Sequence, residues 1–184
     1  MRVARIEPTL SYEHLRQMPD DGKRYEILEG ALAVTASPNE PHQRIVGNLF
    51  ELLRLAQRQG HGRAYVAPFD VVLHDTEAVV EPDLLFISKE RLAIITREAV
   101  RGAPDLLVEI LSPATRDRDL GVKLRQYAKQ GVRWYWVVDP DRREIRVFAW
   151  RDGAYEEQVV PRPGARLSNP LFPGIEIDVA DAFA

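Results

Sequence analysis

The sequence contains no cysteine. That excludes a disulfide framework, a thiolate metal site and a cysteine nucleophile, and it fits a reducing compartment. The glycine patterns that cradle phosphates are missing as well: neither G-x-x-x-x-G-K-[ST] nor G-x-G-x-x-G occurs. There is no G-x-S-x-G elbow either. Nucleotide-driven motors, dinucleotide oxidoreductases and esterases of that type therefore lose their signatures. No apolar run approaches the roughly 20 residues of a membrane span, and the opening MRVARIEPTL has no apolar core of signal-peptide length. A cytoplasmic protein without a membrane partner is the expectation. Charge of one sign is also scarce, the net value being −3, which argues against broad nonspecific adhesion to nucleic acid. With no internal repeat and no low-complexity linker, the 184 residues fit one domain over 1–184.

What is present alternates between strand and helix patterns. Residues 24–28 and 31–36 read as strands joined by a Glu29-Gly30 hairpin turn. Ile45, Val46, Leu49, Leu52, Leu53 and Ala56 recur at three- and four-residue steps, so a helix of about five turns begins near His42 and stops at Gly60. Residues 63–73 read as one strand with a bulge or edge at Pro68, and 78–87 as another that is irregular at Pro82. Part of 89–101 is expected to be helical. Residues 105–111 are nearly continuously apolar, the mark of a central strand covered on both faces. Thr115 or Asp117 caps a helix that should run to Gln130, followed by a strand over 133–138. Strand, helix, strand in that order predicts a crossover with parallel neighbours. Residues 144–150 and 154–160 form a hairpin, and 178–183 close with a helical turn. The fold class is α/β: a mixed β-sheet core flanked by helices, with extra β-hairpins.

Two carboxylates stand where a core should be apolar. Asp83 directly precedes Leu84-Leu85-Phe86-Ile87, and Glu109 lies within Leu106-Leu107-Val108-Glu109-Ile110-Leu111. A buried charge is costly unless paired or metal-bound. Glu109 could pair with a buried arginine; two such acids on neighbouring strands could instead hold a hard cation such as Mg²⁺ together with water and phosphate oxygens. Asp119, Lys123 and Tyr127 follow at four-residue steps, so they share a helix face. Lys123 could orient a nucleophilic water or stabilise a pentavalent phosphate. Glu26 is a third acid or a half-exposed strand residue. His42 is a phosphate contact, a proton carrier or a cap. Residues 113–133 carry six basic side chains, Arg116 and Arg118 among them, against two acids. Either this is a solvated helix face or a surface for nucleic acid, with Tyr127 beside it. The run Trp134-Tyr135-Trp136 could form a homodimer surface.

RYEILEG, the Ser37-Pro38 loop followed by His42, EPDLLFIS and LLVEILSPATRDRDLGVKLRQYAKQGVRWYWVVDP resemble the Uma-type family of restriction endonucleases over nearly the whole chain. That resemblance implies the PD-(D/E)xK nuclease fold. Asp83 would be the acid of the Pro82-Asp83 pair and Glu109 the acid of the second half-motif, with Mg²⁺ or Mn²⁺ as cofactor and DNA as substrate. Ile110 would add its carbonyl and Glu26 a further carboxylate. The pattern also places a lysine two residues after the second acid. Leu111 stands there, which leaves Lys123, one helix later, as the replacement.

Overall fold

The computed structural model describes residues 9–35, 37–159 and 161–184. The outermost expected strand residues, Ala36 and Val160, lie outside that set. The chain opens with a short helix α1 (Tyr12–Leu15) and the hairpin β1 (Arg24–Leu28) and β2 (Ala31–Thr35). Helix α2 (Glu40–Arg58) follows, then β3 (Gly62–Val66), β4 (Asp70–His74), β5 (Ala78–Val80), β6 (Leu84–Ser88), a 3-10 stretch (Lys89–Ile94), β7 (Ala99–Arg101) and β8 (Leu106–Ile110). Helices α3 (Arg116–Asp119) and α4 (Val122–Lys129) lead into β9 (Trp134–Asp139), β10 (Glu144–Arg151), β11 (Ala154–Val159), β12 (Arg166–Ser168), β13 (Glu176–Asp178) and α5 (Val179–Ala182). Strands β11-β10-β9-β8-β6-β3 make the larger sheet, β2-β1-β5-β4-β7 the smaller, and β12-β13 a separate pair.

The expected crossover is present: β8 and β9 run parallel, with Leu106 opposite Trp134 and Ile110 opposite Val138. Their apolar sequence follows from cover on both faces. Leu84, Phe86, Leu106, Val108, Trp136 and Val138 pack with Ile45, Leu49 and Leu53 of α2. The alternate residues Leu85, Ile87, Leu107, Tyr135 and Val137 pack with Tyr127 of α4 and with Leu28, Val71, Val80 and Val100 of the smaller sheet. Burying each leucine stabilises the fold by about 1.5–3 kcal/mol before entropy is charged. Tyr135 and Trp136 are fully buried on opposite faces, so two of the three aromatics of the run are core, and Trp134 packs partly buried against the same core.

Three elements differ from the sequence expectation, each for a local reason. The segments 63–73 and 78–87 are not single strands. Pro68 and Pro82 remove ladder donors, and at each the chain leaves one sheet for the other: β3 and β6 belong to the larger sheet, β4 and β5 to the smaller. The two crossings lie together, the Ala67 N–H donating to the Asp83 carbonyl at 3.1 Å. The partly helical stretch expected over 89–101 is present as the 3-10 turn Lys89–Ile94, and β7 after it pairs parallel to β4. The helix expected to reach Gln130 is broken between α3 and α4 at Gly121, where a Cβ would lie 2.5 Å from the Asp117 carbonyl oxygen. No other residue fits that approach without moving α3.

Gly121→Ala is therefore expected to destabilise the protein by about 1–3 kcal/mol through overpacking. Gly47→Ala, on α2 where an added Cβ meets nothing within 4 Å, is expected to stabilise it by about 0.5–1 kcal/mol. Urea unfolding of the two variants beside the parent checks both signs.

Candidate active site

The crossing at Pro82 creates the site. Leu84 pairs with Val108 across β6 and β8. Extending that register by one residue sets Asp83 opposite Glu109, and directly opposed residues share a face. Asp83 points where the apolar alternation of β6 would have placed a core side chain, but it lies beyond the strand end. There its Oδ2 accepts the Ile110 N–H at 2.8 Å and faces His42 Nε2 at 3.0 Å, while Oδ1 takes Arg24 Nη1 at 2.7 Å. Burial alone would raise the Asp83 pKa; His42 and Arg24 outweigh it and hold the carboxyl below its ordinary range.

Glu109 is held from α4. Lys123 Nζ and the Tyr127 hydroxyl both donate to its Oε1, at 2.8 and 2.9 Å. The same ammonium lies 2.9 Å from Glu26 Oε1 and 3.7 Å from Asp119 Oδ1. Glu26, on β1, is buried rather than half-exposed, and it also accepts the Glu81 N–H at 3.0 Å. Helix α4 is fixed where Lys123 can make these contacts by Gln126, which receives the Glu29 N–H and donates to the Glu77 carbonyl. These two partners belong to the turns after β1 and β4.

The structure thus gathers Asp83, Glu109, Lys123 and Glu26 as the sequence suggests. The four expected nucleic-acid contacts fare differently. Tyr127 is fully buried and has no surface for nucleic acid; its hydroxyl positions Glu109 instead. Arg116 is turned away and pairs with Asp139 at 2.9 Å, whereas Arg118 lines the cleft. His42 combines two roles: its backbone N–H is capped by Asn39 at 3.1 Å while its ring faces Asp83. Ile110 engages Asp83 through its N–H. Two site residues escaped the sequence reasoning. Arg24 was detectable because strand alternation puts it on the face of Glu26, and Glu81 because it adjoins the Pro82-Asp83 pair. Arg24 bridges Glu81 at 3.1 Å and Asp83.

Glu26, Glu81, Asp83, Glu109 and Asp119 line one cleft of about 250 Å³ with Arg24, Arg118 and Lys123. Five carboxylates thus face three fixed cations. The surplus shows in the proton affinities. Burial, reinforced by Asp119, Asp83 and Glu26, pushes Glu109 up to about 8 against the pull of Lys123. Burial, with Asp70 and Glu26, pushes Glu81 up to about 7 against Arg24. Burial would lower the Lys123 pKa, but Glu109, Glu26 and Asp119 together raise it well above its ordinary value. The cleft therefore suits an added divalent cation. Among the described residues no three His, Asp or Glu side chains form a ready metal cage. An ion of the Mg²⁺ type takes one or two carboxylates and fills its shell with water and phosphate oxygens. Asp83 and Glu109 are the residues that would hold it.

The raised carboxyls fix a sign for pH dependence. Glu81 and Glu109 bind protons more tightly folded than unfolded, so their contribution to stability is present below about pH 4.5 and is lost as pH rises through about 7 to 8. Between pH 6 and pH 9 the metal-free protein should lose roughly 5 °C of Tm. Mn²⁺ should restore more of it at pH 9 than at pH 6, and Glu109→Gln should flatten the profile. Differential scanning calorimetry reads all three effects.

Against known proteins, the comparisons agree on fold and family. No curated protein matches the chain. Among solved structures, one described as "a putative nuclease belonging to DUF820 from Anabaena variabilis ATCC 29413" superposes with a TM-score of 0.78. The alignment spans 95% of this chain and 97% of that one at 20% identity. This shows a shared fold, the restriction-endonuclease-like arrangement of strands and helices. The sequence profile of the Uma2 family, described as "Putative restriction endonuclease", matches residues 12–180. The chain, with its Asp83–Glu109 pair at the sheet crossing, belongs to the Uma2 family.

Proposed function

We propose that the protein is a metal-dependent endonuclease that hydrolyses DNA phosphodiester bonds. The observation that carries this reading is the convergence of Asp83 and Glu109 at opposed strand positions with the Lys123 ammonium 2.8 Å from Glu109. Asp83 and Glu109, with the Ile110 carbonyl and Glu26 as further oxygens, are the residues that would hold Mg²⁺ or Mn²⁺. Such an ion would supply Lewis acidity and a more acidic water.

The chain's own groups do the rest. Arg24 and His42 keep Asp83 ionised and aimed, since both stabilise its charged form. Tyr127 and Lys123 fix the orientation of Glu109. The attacking water gives its oxygen to phosphorus as the bond to the leaving 3′ or 5′ oxygen breaks, and its proton passes to a carboxylate of the cleft. Lys123 offers donors to the negative charge that accumulates on the phosphoryl oxygens. One such site cuts one strand at a time, so a double-strand break takes two copies or two successive cuts.

One observation favours a second reading. Both Asp83 oxygens are already engaged by Arg24, His42 and the Ile110 N–H, and Leu111 occupies the usual lysine position. A nuclease-fold module that binds nucleic acid or assembles with protein, without cutting, would look the same. It would bind DNA in a salt-sensitive way and leave it intact with any divalent ion.

Cleavage of plasmid and single-stranded DNA with Mg²⁺ or Mn²⁺ separates the two. Asp83→Ala and Glu109→Ala are each expected to lower the rate at least about 10³-fold, and Lys123→Ala about 10²–10³-fold. Wild-type cleavage that survives both acid substitutions sinks the site assignment, and absence of wild-type cleavage favours the second reading.

A further inference from the structure

Arg118 differs from the other two cations of the cleft. Arg24 is claimed by Glu81 and Asp83, and Lys123 by Glu26 and Glu109. Among the described residues Arg118 makes no ion pair, although five carboxylates line the same cleft. Its Nη2 donates to the Thr35 hydroxyl at 2.5 Å, and its Nε is shut off from solvent with no acceptor. A polymer cannot reach that Nε, but the outer nitrogen Nη1 also makes no hydrogen bond among the described residues and is not shut off from solvent, so its donors are open to a ligand. Ser112 and Thr115, whose Oγ atoms lie 3.0 Å apart, line the same cleft.

A guanidinium with spare donors, backed by hydroxyls and spared any carboxylate, matches the needs of a tetrahedral oxyanion. Asp119, the next residue in the chain and a lining acid of the cleft, faces Lys123 at 3.7 Å. Arg116 cannot share the task, being committed to Asp139. We infer that Arg118 grips the phosphodiester of the strand lying in the cleft, with Thr35, Ser112 and Thr115 lining its seat. This inference rests on the nuclease reading and names the side chain that receives the substrate's anion, distinct from the acids that would receive the metal.

The test is binding of a fluorescein-labelled single-stranded DNA oligonucleotide, followed by anisotropy across a salt series in EDTA. The chelator keeps catalysis and metal out of the measurement. Arg118→Ala is expected to weaken binding about 10-fold and to lower the slope of log affinity on log salt by about 0.7, the signature of one lost phosphate contact. Arg118→Lys should keep the slope and regain only part of the affinity, because the charge remains and the fork is lost. Arg125→Ala removes an equal charge at the exposed pair with Glu29 and should change neither quantity. Arg118→Gln with an unchanged Tm guards against misfolding. The inference is overturned if Arg118→Ala behaves like Arg125→Ala, or if the wild type does not bind. Arg118-dependent binding without metal-dependent cleavage would sink the nuclease reading and leave the phosphate seat standing.

Discussion

The structure depends on one ammonium group. Lys123 Nζ touches Glu26 from the smaller sheet and Glu109 from the larger, with Asp119 a little farther away. Its side chain is almost wholly buried, as are those of its three partners. Such a cluster is not a simple stability device, because desolvation consumes much of what the ion pairs return. Removing the lysine would leave three acids facing one another in a low-dielectric pocket. What the cluster does is set geometry. It pins α4 over both sheets and fixes where Glu109 can point.

The same cluster explains why the cleft carries more acid than base. A protein selected only for stability would neutralise or delete some of those carboxylates. Here Arg24 and Lys123 are both spent on pairs of acids, and the excess remains. Burial and the neighbouring acids raise the proton affinity of Glu109 and Glu81 despite the pull of Lys123 and Arg24. Strained protonation of this kind marks places where a fold has been kept for chemistry. The family membership supports the same conclusion from independent ground.

Much of this was visible in the sequence, and what was not has identifiable causes. The acids at 83 and 109 announced themselves because a charge inside an apolar run has few explanations. Parallel pairing of β8 with β9 followed from the strand, helix, strand order. Proline was harder to interpret. Pro68 and Pro82 were legible as irregularities, yet nothing local says whether a chain bulges within a sheet or departs for another one. The broken helix was hidden because Gly121 is ordinary in composition and decisive only through its contact with the Asp117 carbonyl. Tyr127 and the tryptophan run misled for a shared reason: amphipathic aromatics serve cores and surfaces equally well, and only the cover over the central strands decides. Arg24 and Glu81 were missed because each is unremarkable until the crossing brings them together.

The paired crossings at Ala67 and Asp83 carry one more consequence. Glu26 arrives with one sheet and Glu109 with the other, while Asp83 sits on the seam between them. A folding intermediate that has built either sheet alone holds only part of the constellation. Whatever reaction the cleft supports is thereby withheld from nascent, damaged or partly degraded chains. The topology is its own safety catch: whatever the cleft does is licensed only by completion of the fold.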